Sequence, residues 1–239
     1  MVRPLLLSIL AACNPSDGGE FPVEPGGPNP GGMGKMLDAA PIDAAEPDAS
    51  AELTGRVCLV SDLRGLACAA TGAAGITVTL GTQTATTLAN GSFTMMTPSG
   101  SNLVWRASRN DLITSVMAFG PSKTIPIIGD QDYIDLQNAN SVTLVAGEGS
   151  IVARIVRNNV AVSGAVVAIS PVAQFAAKYD GLTSSAWTEL STSAAGTVWI
   201  PGAGLGANVV TATPPSGTPA MEAVVVEDQA ITYVTIDLP

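Results

Sequence analysis

Gly75-Ile-Thr-Val-Thr-Leu80 and, shortly after it, Thr86-Thr-Leu-Ala-Asn-Gly-Ser-Phe-Thr94 decide how this chain is read. Ile76, Val78 and Leu80 alternate with Thr77 and Thr79. That period of two sends successive side chains to opposite faces of a half-buried strand. Asn90-Gly91 is a strong hairpin signal, because a type I′ turn needs positive φ at both central residues. Phe93 then restarts an apolar face, so the stretch reads as two strands and a turn. The same figure returns as Gly164-Ala-Val-Val-Ala-Ile169 and Ser191-Thr-Ser-Ala-Ala-Gly-Thr-Val-Trp199. Thr87–Phe93 aligns with Thr192–Val198 without a gap, Gly91 falling on Gly196. The chain therefore reads as two copies of one small β-module, the first over 52–129 and the second over 141–239.

Working outward, Leu53–Val60, Leu103–Ser108, Ile113–Phe119 and Thr124–Ile128 read as the other strands of the first copy. Pro126 cannot donate to a ladder, so the last of these belongs at a sheet edge or irregular end. In the second copy Thr143–Val145 leads into Ile151–Val156, the counterpart of Thr54–Val57; Asn158-Asn159 is a turn, and Val160–Ile169 follows. Val209–Thr213 and Ala230–Leu238 close the sheet. Several short strands with regular turn signals point to an all-β sandwich class. Asp130–Ala139, between the copies, is the helical candidate, with Asp130 as cap and Asp132 suited to the positive helix end. Tyr133, Leu136 and Gln137 share one of its faces. The domain reading is thus two tandem sandwiches joined by a helical connector over 130–140.

The 239 residues carry 10 Lys and Arg, 20 Asp and Glu and no His, a net charge of −10. A nucleic-acid partner is excluded, since phosphates demand a basic face. Absence of histidine removes the commonest general base and metal ligand. Asp130, Asp132 and Asp135 lack the glycine, the alternation and the closing Glu of a calcium loop, so capping is the reading preferred for them. No metal and no cofactor is expected.

Met1-Val-Arg3 followed by the apolar run Pro4–Ala12 resembles a secretory signal over residues 1–12. Leu10-Ala11-Ala12-Cys13 resembles the lipobox of bacterial lipoproteins. That resemblance implies cleavage before Cys13, a diacylglyceryl thioether on its sulfur, and a lipid-anchored place in the bacterial cell envelope, at the outer membrane, periplasmic or surface-exposed. Asn14–Ala51 is rich in Pro, Gly and carboxylates, as in Glu24-Pro-Gly-Gly-Pro-Asn-Pro-Gly-Gly32. Such a segment buries too little apolar surface to offset its ordering entropy, so 13–51 reads as a disordered acidic tether. Its root-mean-square span is about 35 Å.

With Cys13 lipidated, Cys58 and Cys68 remain as an even pair, and export permits a disulfide between them. Closing so short a loop stabilises by roughly 2–3 kcal/mol. A redox-active role is disfavoured, because the spacing is not CxxC and no helix start lies nearby to lower a thiol pKa.

Thr54-Gly-Arg-Val57, Gly75–Leu80 and Thr87–Phe93 together resemble the carboxypeptidase regulatory-like, or transthyretin-like, family, with its "V-x-G-x-V" start, "G-V-x-V" strand and "T-D-x-x-G-x-F" hairpin. Ser163–Val167 and Thr192–Val198 repeat the resemblance. Leu88 and Ser193 stand where the family has Asp, and Val198 where it has Phe. The resemblance implies a non-catalytic seven-stranded sandwich used in adhesion, carbohydrate contact or spacing. Related surface modules form Lys–Asn cross-links, but Lys123 and Lys178, the lysines of the modules, are not on a first strand.

Two alternatives carry named residues. A carbohydrate-binding reading uses Phe175, Tyr179, Trp187 and Trp199, the first two on a long insert from Pro171 to Ser185. Aromatics on such a loop either contact ligand or cover the sandwich end. Trp105, alternating with Leu103 and Ala107, reads as core. A hydrolase without His would need a Lys or carboxylate base. Ser122 and Lys123 are adjacent and so point to opposite faces of a strand, and nothing marks Asp180 and Glu189 as an acid–base pair. The expected partners are the membrane, through the lipid, and a carbohydrate or envelope protein.

Overall fold

A computed structural model describes residues 51–64, 67–69, 71, 73–181 and 187–239; the expected signal segment, Cys13 and the tether up to residue 50 lie outside these described residues. The first half runs β1 (Glu52–Val60), β2 (Thr77–Leu80), β3 (Gln83–Thr86), β4 (Ser92–Met96), β5 (Val104–Arg109), β6 (Leu112–Ala118) and β7 (Thr124–Ile128). Helix α1 (Asp130–Ala139) follows. The second half runs β8 (Glu148–Arg157), β9 (Val160–Ala161), β10 (Val166–Ser170), β11 (Lys178–Tyr179), β12 (Thr197–Gly204), β13 (Gly206–Thr213), β14 (Ala220–Val226) and β15 (Ile231–Asp237). The class is all-β, as the alternation predicts.

Among the described residues three sheets form: β4-β1-β7, β10-β13-β14, and a nine-stranded sheet in the order β11-β12-β8-β15-β6-β5-β2-β3, with β9 beside β8. β7 is an edge strand, where Pro126 costs no ladder bond. The order β4-β1-β7 returns in the second half as β12-β8-β15, and β2-β5-β6 returns as β10-β13-β14. In both triplets the last strand runs parallel to the middle one, Val57 opposite Ile125 and Ile155 opposite Ile236.

The matched stretches carry matched bonds. The Thr87 carbonyl accepts from Gly75 N–H, its hydroxyl accepts from Ile76 N–H, and that hydroxyl donates to the Ala73 carbonyl. Thr192 repeats this with Gly164, Ala165 and Val162. Gly91 and Gly196 sit at φ +81° and +66°. Each presents its carbonyl to a first-strand amide, Val57 at 2.8 Å and Ile155 at 2.7 Å. A Cβ at either glycine would fall on that same strand, 2.3 Å from the Val57 oxygen or 2.7 Å from the Ile155 oxygen. Only glycine fits both the dihedral and the approach.

The turn itself differs from the sequence reading. Gly91 N–H donates to the Leu88 carbonyl, so Ala89 and Asn90 are the central residues, and Asn90 Oδ1 receives Ser92 N–H. The hairpin proper is β2–β3, turning at Gly81-Thr82. The Thr87 bonds close the end of that ladder, and the chain then crosses to pair β4 with β1 in another sheet. The two-residue turn with positive φ at both positions is instead Asn158-Asn159, between β8 and β9. The helix matches Asp130–Ala139, but its cap is Gly129, without a side-chain bond. Gly129 is still bridged to Leu112, so the helix starts directly off the sheet and Asp130 is its first residue.

The described residues make one compact unit, joined where β15 lies parallel to β6, Ile231 opposite Ser115. Its apolar clusters follow strand parity. Ile151, Ala153, Val198, Ile200 and Ile236 face the sheet β10-β13-β14. Trp105, Ala107, Val78 and Leu80 face the sheet β4-β1-β7. Val152, Trp199, Ile231 and Tyr233 belong to a third cluster with Val60, Leu63, Ile128 and Tyr133. Met117 packs against the last two clusters, and the register sets it beside Trp105 and Tyr233, so these lie on one face of the long sheet. The core of the second half lies on the other face. The flanking sheets thus cover opposite faces, and α1 with the loop after β1 fills the place beside β4-β1-β7.

Candidate functional site

The insert between β10 and β12 positions most of the expected site residues. In the first half β3 flanks the outer edge of β2. In the second half the chain leaves β10 at Ser170, Gln174 N–H bonds to the Gly202 carbonyl, and β11 pairs with β12 instead. The Tyr179 ring turns into the second-half core, and its hydroxyl accepts from Val167 N–H at 2.8 Å. A side chain thereby takes part of the edge that β3 covers in the first copy.

Trp199 is 0 % exposed, Trp187 3 % and Tyr179 7 %; Phe175 is half-buried against the third cluster. Trp187 meets Trp199 edge to face at 5.9 Å, and Tyr133 meets Trp199 at 6.1 Å. The expectation of an aromatic platform is corrected accordingly: the structure gathers Trp187 and Trp199 but turns them inward. The cause is that β12 is covered on both faces, by β10-β13-β14 and by α1 with the loop after β1. Tyr133 donates to or accepts from Ser150 Oγ at 2.6 Å, and burial pushes its phenol above the usual range. Tyr233 is displaced upward by burial as well.

Asp180 is fully buried. Its carboxylate accepts from Ser193 N–H at 2.9 Å, Ser193 Oγ at 2.6 Å and Ala195 N–H at 3.1 Å. It therefore holds the turn before Gly196, while Glu189 is exposed and only its backbone is bridged to Tyr179. Lys123 Nζ donates to the Gly120 carbonyl at 2.8 Å and lies over the Phe119 ring, while Ser122 Oγ is the acceptor for Thr124 N–H. These contacts hold loops. Trp105 is buried, as its alternation predicts.

The expected disulfide joins Cys58 and Cys68, with Cα atoms 4.9 Å apart. The loop it closes carries Arg64, which pairs with Asp62 at 2.7 Å and donates to the Gly181 carbonyl at 2.9 Å. Burial raises the Asp62 carboxyl, but the Arg64 hydrogen bonds and charge outweigh it and hold that carboxyl below the usual range. The sequence reading passed over Arg64 and Asp180 as anchors. The one available signal was charge set singly within mostly apolar or small-residue stretches. Beside the loop a depression of about 340 Å³ is lined by Asp62, Leu63, Ile128, Asp132, Asp135, Leu136 and Trp187, among others. Gln131 Nε2 donates to Asp135 Oδ1 at 2.8 Å, and among the described residues no group of three His, Cys, Asp or Glu is placed to hold a metal. Among them, too, no helix is long and apolar enough to cross a membrane.

No protein-family profile matches the chain, and no curated protein matches it. Solved structures do. The Bacillus anthracis TIE protein aligns at 9 % identity and TM-score 0.28, over 78 % of this chain and 33 % of its own. GBS52, the minor pilin of Streptococcus agalactiae, aligns at 15 % and 0.28, over 78 % of this chain and 94 % of its own. A streptococcal ancillary pilin aligns at 11 % and 0.28, over 79 % and 69 %. The chain thus spans a third of the first of these. Scores and identities this low assign neither family nor activity.

Proposed function

We propose that the chain is a non-catalytic, lipid-anchored protein of the bacterial cell envelope, in which two tandem transthyretin-like sandwiches act as a structural or adhesive body. The observation that carries this reading is the backbone pairing of β15 with β6, which runs one sheet through both repeats. Ladder bonds across a junction resist bending in a way that a flexible linker does not, and stiffness suits a part that spaces or presents. The matched Thr87 and Thr192 networks support descent of both halves from one sandwich unit. The polar groups that chemistry would recruit, Asp180 and Lys123 among them, are bonded to backbone and serve as turn and loop anchors. The acidic tether from Cys13 sets the body off the membrane, and its partner is another envelope component, protein or glycan.

The test is fractionation in a bacterium that processes lipoproteins. The wild-type chain is expected to incorporate labelled palmitate and to sediment with membranes; Cys13→Ala is expected in the soluble fraction without label. Membrane association of Cys13→Ala that only detergent releases would overturn the anchor.

A further inference from the structure

We propose that the Cys58–Cys68 bridge is a redox-sensitive latch between the halves, holding Gly181 and Thr197 of the second half against the first half. The bridge spans one buried and one open sulfur position: Cys58 is 2 % exposed inside the cluster shared by both halves, whereas Cys68 is exposed. The loop between them reaches across the junction in three ways. Leu63 is buried in the cluster that contains Trp187, Trp199 and Tyr233. The Arg64 guanidinium, held by Asp62, donates to the Gly181 carbonyl at 2.9 Å. The Arg64 carbonyl in turn accepts from Thr197 Oγ1 at 3.1 Å. Gly181 follows Asp180, and Thr197 follows the turn that Asp180 holds, so one loop contacts both segments that the Asp180 carboxylate ties together.

The loop is not part of the repeat. In the second half β8 passes through the two-residue turn Asn158-Asn159 into β9 and on to Val162, the counterpart of Ala73, so no segment corresponds to the loop that the bridge closes. Nor does β1 need the bridge to stay in its sheet, since it pairs with β4 over five positions and with β7 over five. What the bridge fixes is the loop. An external dithiol opens it by thiolate attack on Cys68 Sγ, forming a mixed disulfide and releasing Cys58 as a thiolate that takes up a proton. The reductant's second thiol then displaces Cys68 as a thiol, leaving the reductant as its own disulfide. With loop closure lost, the free loop regains conformational entropy and Leu63 and Arg64 are no longer held at the junction. The consequence falls on the second half, which contains neither cysteine.

Hydrogen exchange read by mass spectrometry tests this on the full chain, with and without dithiothreitol under native conditions. Reduction is expected to speed exchange at least about tenfold at Tyr179–Gly181 and Ser193–Thr197 while β2 and β5 keep their protection. Arg64→Ala, with the bridge intact, is expected to speed exchange at the same sites. Faster exchange confined to residues 58–74, a uniform loss across the chain, a bridge that dithiothreitol leaves closed, or an Arg64→Ala variant unchanged at those sites would each overturn the latch.

Discussion

Adding one methyl group at Gly91 is the sharpest probe of the repeated turn. At φ +81° an L-residue is strained by about 1–2 kcal/mol. The new Cβ would lie 2.3 Å from the Val57 carbonyl oxygen and 3.0 Å from the Ala73 Cβ, neither of which can swing aside, since one is ladder backbone and the other core. Overpacking of that kind costs a further ~1–3 kcal/mol. Gly91→Ala should therefore lose about 2–5 kcal/mol, a large part of a typical domain's stability. Gly75→Ala separates the two causes: its φ is +68°, but among the described residues nothing lies within 4 Å of a Cβ there. It should lose only the strain, about 1–2 kcal/mol. Gly196→Ala, 2.7 Å from the Ile155 oxygen, should behave like Gly91→Ala rather than Gly75→Ala. Urea unfolding of the oxidised chain measures all three. At roughly 2–4 °C per kcal/mol, the Gly91 and Gly196 variants should melt well below the Gly75 variant. If Gly91→Ala costs no more than Gly75→Ala, the close approach to β1 is wrong, and with it the matched role of the two glycines.

Three more outcomes are expected. Asp180→Ala should cost about 1.5–3 kcal/mol in urea unfolding, because the Ser193 and Ala195 amides lose a charged acceptor in a buried site; a neutral result would contradict the anchoring role. Asp62, whose folded carboxyl sits below its ordinary value, contributes stability that is present above about pH 4 and fades as pH falls through the folded pKa; thermal melts from pH 6 down to 2 should show that loss in wild type and not in Asp62→Asn. A fragment of residues 141–239 should give a cooperative melt with β-type circular dichroism, at a lower temperature than the whole chain, since its main core draws only on its own residues while Trp199 and Tyr233 lose their cover. A disordered fragment would mean that the halves cannot fold apart.

The sequence was informative wherever a local rule decided the outcome. Alternation in Gly75–Leu80 placed β2, the proline in Thr124–Ile128 placed β7 at an edge, and the carboxylates of the first turn located α1, although its cap is Gly129 and not Asp130. The ungapped match of Thr87–Phe93 with Thr192–Val198 found two identical bond networks. Misreadings came from signals that several geometries share. Asn-Gly serves a type I′ centre and also the last positions of an ordinary turn, and the Gly91 bond to Leu88 puts it in the second of these here. Val160–Ile169 looked like one strand because Gly164, its break, sits among apolar residues. Ala220–Val226 has too little alternation to announce β14. Trp187 and Trp199 were placed on the correct module, but a tryptophan's exposure depends on what covers its strand, and that cover comes from α1 and the loop after β1, both outside the module.

The junction shows why. β12 in the second half corresponds to β4 in the first, yet β4 lies at the edge of a three-stranded sheet and β12 lies inside a long one with both faces covered. Equal sequence patterns thus receive unequal burial, because β15 pairs with β6 and carries the second half's inner sheet into the plane of the first half's outer one. Each half then keeps its flanking sheet on its own side. The face of β12-β8-β15 left bare by that offset is large and apolar: Trp199, Val152, Ile231 and Tyr233 all point to it. Some segment outside the repeat has to cover it. In this chain α1 brings Tyr133 to that face, and the disulfide loop brings Leu63. The connector and the loop therefore follow from the same cause, the offset between the sheets of the two halves, and the aromatic residues that resemble a binding platform in the sequence are the floor on which both rest.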